Sequence, residues 1–540
     1  PKNQNGGKEV MNIDKQQFNH EKLPEGSFEF VQEHAKLKDK ELETKPVSYL
    51  QDAFIRFKKN KASVVAGVII LILVLYAIIA PIFSNFTVAF REPYYRRVIP
   101  KSKLLAPLGI WDGTKKDTLN EIRYDYYRGI EEETGTKPIK ELLLKRKITK
   151  RRGRKKTTSY YYETKMDDYA ALGIIFQNFT KDEFEKLCKW QDATGIQVIY
   201  PAIDTRQQDS FVPNSIKEDP NIWYKVNAKG EVEFDKDGNF QPIYKTGDPE
   251  EYTSLRVPFD DGTLSYYQRT QTGYTIRVLY SNYYRYRYSN SVISASEDTS
   301  NDTYLVGPEA SFLFGTNQYG QDIYTCLAAG ARFSFMLAIL VSVLNLSIGA
   351  FVGAMEGYYG GTFDIIMERI IEILGGVPFM ITVTLFQLHL AKKVGPAVSL
   401  LFAFVLTGWI GMSSLTRTQF YRFKHQEYVL SARTLGASDR RIIWKHIFPN
   451  AIGTIITSVV LIIPGVIFSE STLSYLGIVD LSSSTTTSVG TLLAGGQAYL
   501  QDYPHIIFFP ALFIALLQIS FNLFGNGLRD AFNPSMRGAE

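Results

Sequence analysis

The densest group of side chains that could contact another molecule is the polar, basic stretch 427–450, which lies between two long apolar runs. Its small residues Ser431 and Ala432 fall together on a helix and would allow a close approach, and Gly436 suits a bend. The Ser-Asp pair that follows can cap a second, basic helix, which Pro449 is expected to end. This pattern indicates a contact surface, and the alternatives are a solvated basic loop and a DNA-binding helix-turn-helix.

Motifs of catalytic and metal sites are absent from the sequence. No Gly-x-x-x-x-Gly-Lys-Ser/Thr loop is present to hold ATP phosphates, and no His-Glu-x-x-His, Cys-x-x-Cys or Gly-x-Ser-x-Gly motif occurs. The two cysteines, Cys188 and Cys326, are too few for a disulfide framework or a zinc site, and a single bridge between them is the remaining alternative. We therefore expect no catalytic residue, cofactor or metal on this chain.

Two further clusters combine basic and aromatic side chains. The run 145–156 is rich in Lys and Arg and precedes three tyrosines, and in 283–288 Tyr alternates with Arg. Such clusters can bind single-stranded nucleic acid, but a solvated loop and a half-exposed strand are the simpler interpretations. The second cluster also suits contact with a partner protein, because Tyr and Arg are enriched in interfaces. Its candidate contact residues are Tyr283, Tyr284, Arg285, Tyr286, Arg287 and Tyr288.

Length and composition place these clusters in a membrane protein. The 540 residues are 45% hydrophobic, with the apolar residues concentrated in the second half, and the net charge of +5 is too small to indicate nucleic acid. The run 62–83 is uncharged, has the roughly twenty residues that a bilayer requires, and follows four basic residues that predict a cytoplasmic N terminus. Five more candidate spans are 333–355, 370–390, 397–414, 452–473 and 506–524.

The six runs divide the chain between the two sides of the membrane. The predicted divisions are a tail (1–55) with no signal peptide before the first run, a first span (56–84), an outer soluble domain (85–314), five further spans (315–530) and a second tail (531–540). This count places the stretch 427–450 and both termini in the cytoplasm, where the basic residues of that stretch agree with the positive-inside rule. No charge cluster within the spans indicates a proton or ion relay.

The polar region after the first span is long enough to bury a core of its own. Thr180 and Glu183 have the spacing of a capping box, for a helix whose inner face holds Cys188. Residues 231–244 predict a hairpin and 274–280 a further strand. We expect an α+β domain.

The stretch 427–450 resembles the cytoplasmic loop through which permeases of ABC importers dock on their ATPases. The family pattern is Glu-Ala-Ala, three residues, Gly, nine residues, Ile, one residue, Leu-Pro. Four residues fall in register with it: Ala432, Gly436, Phe448 and Pro449. Three depart from it: Leu430 for Glu, Ser431 for Ala and His446 for Ile. The ending 445–450 is similar to the Arg-His-Ile-Leu-Pro-Asn of the peptide-importing branch.

The resemblance continues, in order, through the second half of the chain. Segments similar to those of peptide permeases are 315–322, 357–361, 470–477 and 522–530, with Asn317, Gln321 and Asn526 as departures. The loop after the first span is short in that family, so the resemblance says nothing about the role of 85–314.

The resemblance implies an α-helical polytopic membrane protein with the six-helix type I ABC importer permease fold and an inserted extracellular α+β domain. The implied function is ATP-driven uptake of oligopeptides or dipeptides across a bacterial plasma membrane. The implied partners are a second homologous permease, two ABC ATPase subunits that bind ATP and Mg, an extracellular substrate-binding protein, the peptide and membrane lipid, without nucleic acid.

The ATPase-docking residues carried over by the resemblance are Glu427, Ser431, Ala432, Gly436, Ala437, Arg440, Arg441, His446 and Pro449. The alternatives are an ABC importer of another solute, such as nickel or a sugar-like nutrient, a proton-coupled peptide transporter, and a membrane-anchored surface protein.

Overall fold

The computed structural model describes residues 49–84, 86–152, 155–247, 252, 264–293, 304–483 and 486–532. The predicted N-terminal tail therefore lies outside the described residues up to position 48, as does the C-terminal tail after Phe532. The part of the chain from Ala53 onward forms one compact unit.

The described helices are α1 (Tyr49–Lys59), α2 (Lys61–Phe83), α3 (Glu121–Thr134), α4 (Lys181–Thr194), α5 (Asn214–Lys217), α6 (Tyr280–Ile293), α7 (Ile323–Tyr359), α8 (Gly361–Gly375), α9 (Phe379–His389), α10 (Ala391–Val394), α11 (Pro396–Phe423), α12 (Glu427–Thr434), α13 (Asp439–Arg441), α14 (Phe448–Tyr475), α15 (Val489–Gly496) and α16 (His505–Phe532). The strands are β1 (Thr114–Asn120), β2 (Ile139–Arg152), β3 (Lys155–Asp167), β4 (Ile174–Phe179), β5 (Ile199–Tyr200), β6 (Tyr267–Arg269) and β7 (Tyr274–Leu279).

Long apolar helices form the membrane part of the protein. Within the described residues, five helices are long and apolar enough to cross a membrane. They are Lys61–Phe83, Ile323–Tyr359, Pro396–Phe423, Asp439–Tyr475 and His505–Phe532. Each contains one of the predicted apolar runs, so five of the six runs are helical as expected. The predicted start of the first span at residue 56 instead falls inside α1.

The run 370–390 is not the single straight helix that its length predicts. α8 and α9 meet there at a bend of 75°. Gly375 and Gly376 precede Pro378, which stands at the N-cap of α9. Glycine weakens a helix, and a proline disfavours helical geometry in the residue before it, so the helix breaks here.

The helices α7 and α11 pack with their backbones close together. Gly349, Gly353 and Gly357 line the side of α7 that faces α11. A Cβ atom on Gly353 would lie 2.2 Å from the carbonyl oxygen of Ser413, so only glycine permits this approach. The two helices therefore form a tightly matched pair.

Between α2 and α7 the chain forms a region of mixed helices and strands. One sheet has the order β1-β3-β2, and a second has the order β4-β7-β5 with β6 also paired to β7. The capping box of Thr180 and Glu183 is confirmed at the start of α4, and the strand predicted at 274–280 is β7. In 231–244 the chain turns back through single bridges, such as Phe234 with Phe240, instead of forming a regular hairpin.

The segment 283–288 is helical, and the prediction of a half-exposed strand is wrong. It belongs to α6, which begins directly after β7. Tyr284 and Tyr286 are buried in the main core of the mixed region, where Tyr284 packs on Tyr95 and Tyr286 on Trp190. The alternating Tyr and Arg residues suggested a strand, but burial of the large tyrosine rings against this core decides the conformation.

The described residues of the basic run, 145–152 and 155–156, lie in a long antiparallel arm formed by β2 and β3, instead of a solvated loop. β1 covers β3 only as far as Tyr161, so the outer part of this β2–β3 arm is a two-stranded ribbon. At about 3.3 Å per residue, the arm extends roughly 36 Å from Met166 to Lys155. Leu144 and Ile148 are 45% and 40% exposed there.

The mixed region is fixed on one end of the long helices. The Trp111 ring lies 6.0 Å from the ring of Phe314 and 5.6 Å from that of Phe509. Glu92 donates its backbone N–H to the carbonyl oxygen of Gly320, the residue two before the N-cap of α7, at 2.9 Å. These contacts join the region to the helix ends directly.

The two cysteines do not form a bridge. Cys188 and Cys326 are both free and buried. Cys188 lies on the inner face of α4 with Phe184 and Leu187, as the sequence predicts.

Candidate functional site

The 427–450 loop consists of two helical pieces joined by a tight turn. Glu427 stands in the first turn of α12 and Arg433 in its last. At these positions the charge of each side chain interacts favourably with the helix dipole and stabilises the helix. Gly436 has a φ of +79°, in the left-handed region that glycine enters without strain. The second piece begins after Ser438 and continues through a π-helical turn, Ile442–Ile447, into α14.

The prediction that Pro449 ends the second helix is wrong. Pro449 stands in the first turn of α14, directly after the π-helical turn, where the wider backbone accommodates its missing N–H. Helix Asp439–Tyr475 is therefore continuous over 37 residues. The basic part of the 427–450 loop is thus one end of a long apolar helix.

One side of the 427–450 loop is buried against the long helices. Val429, Ile442 and Ile447 are each 0% exposed and pack with Tyr358 of α7 and Phe420 of α11. Burial of each such branched side chain contributes on the order of 1.5–3 kcal/mol. The loop is therefore held firmly on the ends of α7 and α11.

The opposite side of the 427–450 loop presents large apolar and basic side chains to solvent. Leu435 is 88% exposed and Trp444 is 43% exposed. Arg440 and Arg441 are also exposed, and together with Trp444 and Lys445 they line an open groove of about 690 Å³. Exposed Trp and Arg on a rigid support are typical of a protein interface.

All nine predicted docking residues lie on the 427–450 loop. Six are exposed: Glu427, Ser431, Gly436, Arg440, Arg441 and Pro449. Three are half-buried: Ala432, Ala437 and His446. The exposed Leu435 and Trp444 were missed. For Leu435 there was a signal, because it is a large apolar residue beside the turn glycine of a polar loop.

A network of charged residues supports the same end of the helices. The Arg417 guanidinium of α11 donates to both carboxylate oxygens of Asp364 in α8, at 2.7 and 2.8 Å, and lies 3.1 Å from Glu368. Tyr421 donates a further hydrogen bond of 2.7 Å to Asp364. This bidentate pair holds the start of α8 against α11.

α7 and α14 each bury one carboxylate, and the expectation that no charge cluster in the spans marks a proton or ion relay stays a prediction. Glu356 and Glu470 are both 0% exposed. Glu470 accepts hydrogen bonds from Ser334 and Ser474 at 3.0 and 3.2 Å. Glu356 accepts one from Ser413 at 2.9 Å. The apolar context of Glu470 in the sequence was a signal that it is buried.

The carboxylates of Glu356, Asp364 and Glu368 lie within 4.8 Å of one another and could together ligate a metal ion. Arg417 donates to Asp364, forms an ion pair with Glu368, and supplies the positive charge that an ion would bring. The cluster is therefore an ion-pair network.

The second predicted contact cluster, 283–288, offers little free surface. None of its six side chains is in the exposed class. Arg287 donates to the buried Glu92 at 2.9 Å, and Arg285 donates to the carbonyl oxygen of Gly307 at 3.1 Å. Burial raises the pKa of Glu92, and the Arg287 charge opposes that rise. Both arginines therefore have structural partners.

Comparisons with known proteins agree with this architecture. The family described as "Binding-protein-dependent transport system inner membrane component" matches residues 345–538, and "N-terminal TM domain of oligopeptide transport permease C" matches residues 48–107. The segment 108–344 between these matches is covered by neither. The chain belongs to the permease family of binding-protein-dependent ABC transport systems, in the oligopeptide and dipeptide permease branch.

Named relatives of the chain come from this branch. The oligopeptide transport system permease protein OppC of Bacillus subtilis is 39% identical over 254 residues, which are 47% of this chain and 79% of that protein. The dipeptide transport system permease protein DppC of the same organism is 38% identical, over 43% of this chain and 71% of that protein. This chain is therefore a multi-pass membrane transport subunit of a bacterial ABC transporter, and is not itself an enzyme.

Proposed function

We propose that this chain is a permease subunit that imports oligopeptides or dipeptides, driven by ATP hydrolysis on separate subunits. Family membership supports the transport role, and the names of the relatives support the substrate class. The chain would form half of the translocation path beside a second homologous permease. Two ABC ATPase subunits would bind ATP and Mg, and an extracellular binding protein would deliver the peptide.

The proposed topology has six crossings, with α8 and α9 acting together as one broken span. In that arrangement α2 and residues 315–530 form the membrane part, and 85–314 form an extracellular domain. Both termini and the 427–450 loop lie in the cytoplasm. The basic residues of α1 and of the 427–450 loop support this orientation.

The 427–450 loop is the proposed ATPase contact. The observation that carries this proposal is the contrast between its two sides, one anchored by fully buried side chains and the other exposing Leu435, Trp444 and basic residues. Because the second piece continues into α14, a displacement of the loop by an ATPase would move a membrane helix directly.

Substitution of Gly436 tests the contact. A Cβ atom there meets nothing within 4 Å, so a large side chain adds bulk only on the outer surface. Both Gly436→Trp and the control Gly436→Asn keep a residue at positive φ, which Asn tolerates better. We expect Gly436→Trp to leave membrane insertion intact and to uncouple ATP hydrolysis from peptide uptake, while Gly436→Asn retains most uptake. Wild-type uptake by Gly436→Trp would refute the assignment.

The mixed region is the proposed docking element for the binding protein. Its contacts at Trp111 and Glu92 fix it on the helix ends, where it can orient an incoming partner. Because the cluster 283–288 is largely buried, the exposed and basic β2–β3 arm replaces it as the proposed contact surface. Such a basic surface would steer an acidic partner at long range.

Shortening the β2–β3 arm tests this docking role. Replacement of residues 147–160 by Asn-Gly retains the pair Arg146–Tyr161 and closes the strands with a favoured two-residue turn. We expect uptake to need about threefold to tenfold more binding protein for half-maximal rate, with assembly unchanged. An unchanged dependence on binding-protein concentration would contradict the proposal.

A further inference from the structure

A polar cavity of about 280 Å³ lies at the end of the helices opposite to the 427–450 loop. It is lined by the segment after α2, the turn before α7, the loop before α15 and the first turn of α16. α7 separates the cavity from the 427–450 loop, and its 37 residues span roughly 55 Å. In the proposed topology the cavity therefore opens on the extracellular side, where a substrate enters.

The cavity is lined by both apolar and polar side chains. Ile323, Leu492 and Ile506 contribute apolar surface, while Thr487 and Thr491 contribute hydroxyl groups. The cavity volume is slightly below the range of about 300–1,000 Å³ that is usual for ligand sites, so it suits the end of a chain better than a whole oligopeptide.

Arg91 gives the cavity its charge. Its guanidinium lies 5.3 Å from the ring centroid of Tyr319, and the described part of the chain offers it no carboxylate within ion-pair distance. Among the residues that the structure describes, no acidic side chain lines the cavity. Ser488 caps the start of α15 by accepting the N–H of Thr491, so the positive charge of the cavity comes from Arg91. The guanidinium of Arg91 therefore favours an anionic group in this cavity.

Gln318 adds an unused hydrogen-bonding group. Its Oε1 atom is buried and has no hydrogen-bond partner among the described residues. The amide packs on Gly495, where a Cβ atom would lie 2.5 Å from its Nε2 atom, so the glycine leaves room for this amide. A buried amide oxygen without a donor is costly, and a peptide N–H could satisfy it.

We propose that this cavity binds the carboxylate end of the transported peptide, with Arg91 pairing with the terminal carboxylate and Gln318 accepting a backbone N–H. This inference rests on the proposed peptide transport. It specifies which end of the peptide, the C terminus, contacts this chain. The guanidinium and a carboxylate form two parallel hydrogen bonds, which an amide-terminated peptide cannot reproduce.

The test compares uptake of tri-alanine and hexa-alanine, each as the free acid and as the C-terminal amide, by the complete transporter with its binding protein. The binding protein is the same for every variant, so a change in the acid-to-amide ratio reports on this chain alone. We expect Arg91→Gln to lower uptake of the acids, relative to the amides, by roughly threefold to tenfold. Gln318→Glu places a negative charge in the lining of the cavity and should lower the same ratio.

Arg96→Gln is the matched control, because Arg96 is an exposed arginine of the same segment that does not line the cavity. It should leave the ratio unchanged. An unchanged ratio in both Arg91→Gln and Gln318→Glu, with wild-type transport intact, would overturn the carboxylate site and leave peptide import standing. Failure of the wild-type transporter to take up any of the four peptides would instead count against both the proposed function and the site.

Discussion

Tyr358 donates a hydrogen bond of 2.5 Å to Asp439, which joins the end of α7 to the first residue of α13. The Arg433 guanidinium of α12 lies 5.8 Å from the centroid of the same tyrosine ring. One side chain of α7 therefore contacts both pieces of the 427–450 loop. A force on either piece would reach α7 as well as α14.

Removal of this hydrogen bond should weaken coupling without unfolding the loop. Tyr358→Phe keeps the ring that packs among Val429 and Ile442 but removes the donor to Asp439. We expect fewer peptides imported per ATP hydrolysed, with a stability loss of only about 1 kcal/mol. The measurement is uptake and ATP hydrolysis on the same proteoliposomes.

Tyr359→Phe serves as the control for that experiment, because Tyr359 is the adjacent tyrosine and is 52% exposed. It should keep the wild-type ratio of uptake to hydrolysis. Equal ratios in wild type and Tyr358→Phe would show that the Tyr358 hydroxyl does not transmit movement.

The broken pair α8 and α9 gives a test of the number of crossings. If the pair crosses the membrane once, Lys393 of α10 lies outside the cell and Arg422 at the end of α11 lies inside. In a chain without other cysteines, Lys393→Cys should react with an impermeant maleimide in intact cells, and Arg422→Cys only after permeabilisation. The reverse result, with Arg422→Cys labelled in intact cells and Lys393→Cys only after permeabilisation, would instead indicate a re-entrant pair that does not cross.

Cys188 should be nearly inert to thiol reagents. Burial raises the pKa of its thiol to about 12, with the nearby Asp192 adding to the rise. At pH 8 only about one molecule in ten thousand would then carry the reactive thiolate, against roughly a quarter for an ordinary cysteine. Labelling by monobromobimane should therefore be slow at pH 8 and accelerate toward pH 12.

A cysteine at the exposed position Phe211 provides the comparison for that labelling, since Phe211 is 81% exposed. Phe211→Cys should be labelled within minutes under conditions in which Cys188 remains unlabelled. Fast labelling of Cys188 in the folded protein would contradict its burial.

The buried pair of Arg277 and Glu133 should stabilise the mixed region. Two hydrogen bonds of 2.7 Å join them, and their side chains are only 1% and 4% exposed. Arg277→Met should destabilise the folded region by about 3–5 kcal/mol, because it leaves a buried carboxylate without its partner. Thermal unfolding of the solubilised transporter measures this change.

Arg206→Met is the matched surface control, since the side chain of Arg206 is 85% exposed in its pair with Asp204. Its cost should stay below about 1 kcal/mol. A similar shift for the two variants would indicate that solvent reaches the Arg277 pair.

The membrane helices were predictable because a segment that crosses the bilayer needs a fixed length of apolar sequence and must satisfy all its backbone hydrogen bonds internally, as a helix does. The uncharged apolar run of α2, for example, is long enough to be interpreted directly as a membrane span. The bend between α8 and α9 was less visible, because its Gly and Pro residues are also tolerated within straight spans. The helical state of 283–288 depends on burial of Tyr284 and Tyr286 against residues far away in the sequence, such as Tyr95 and Trp190.

The candidate docking residues were predictable from small side chains and a turn glycine in one local stretch. Their supports were not, because Tyr358 and Asp439 are 81 residues apart in sequence and only the fold brings them together. The cavity at Arg91 and Gln318 is a similar case, since four separate segments of the chain line it.

The length of α7 has a mechanical consequence. One uninterrupted helix begins beside the Arg91 cavity and ends at the Tyr358 contact with the 427–450 loop. A rigid rod of roughly 55 Å that tilts by only about 5° about one end moves its other end by about 5 Å. Because the glycines of α7 pack it closely against α11, such a tilt would move both helices together as one rigid unit. A rotation too small to disturb any hydrogen bond inside either helix would then suffice to open or close the cavity.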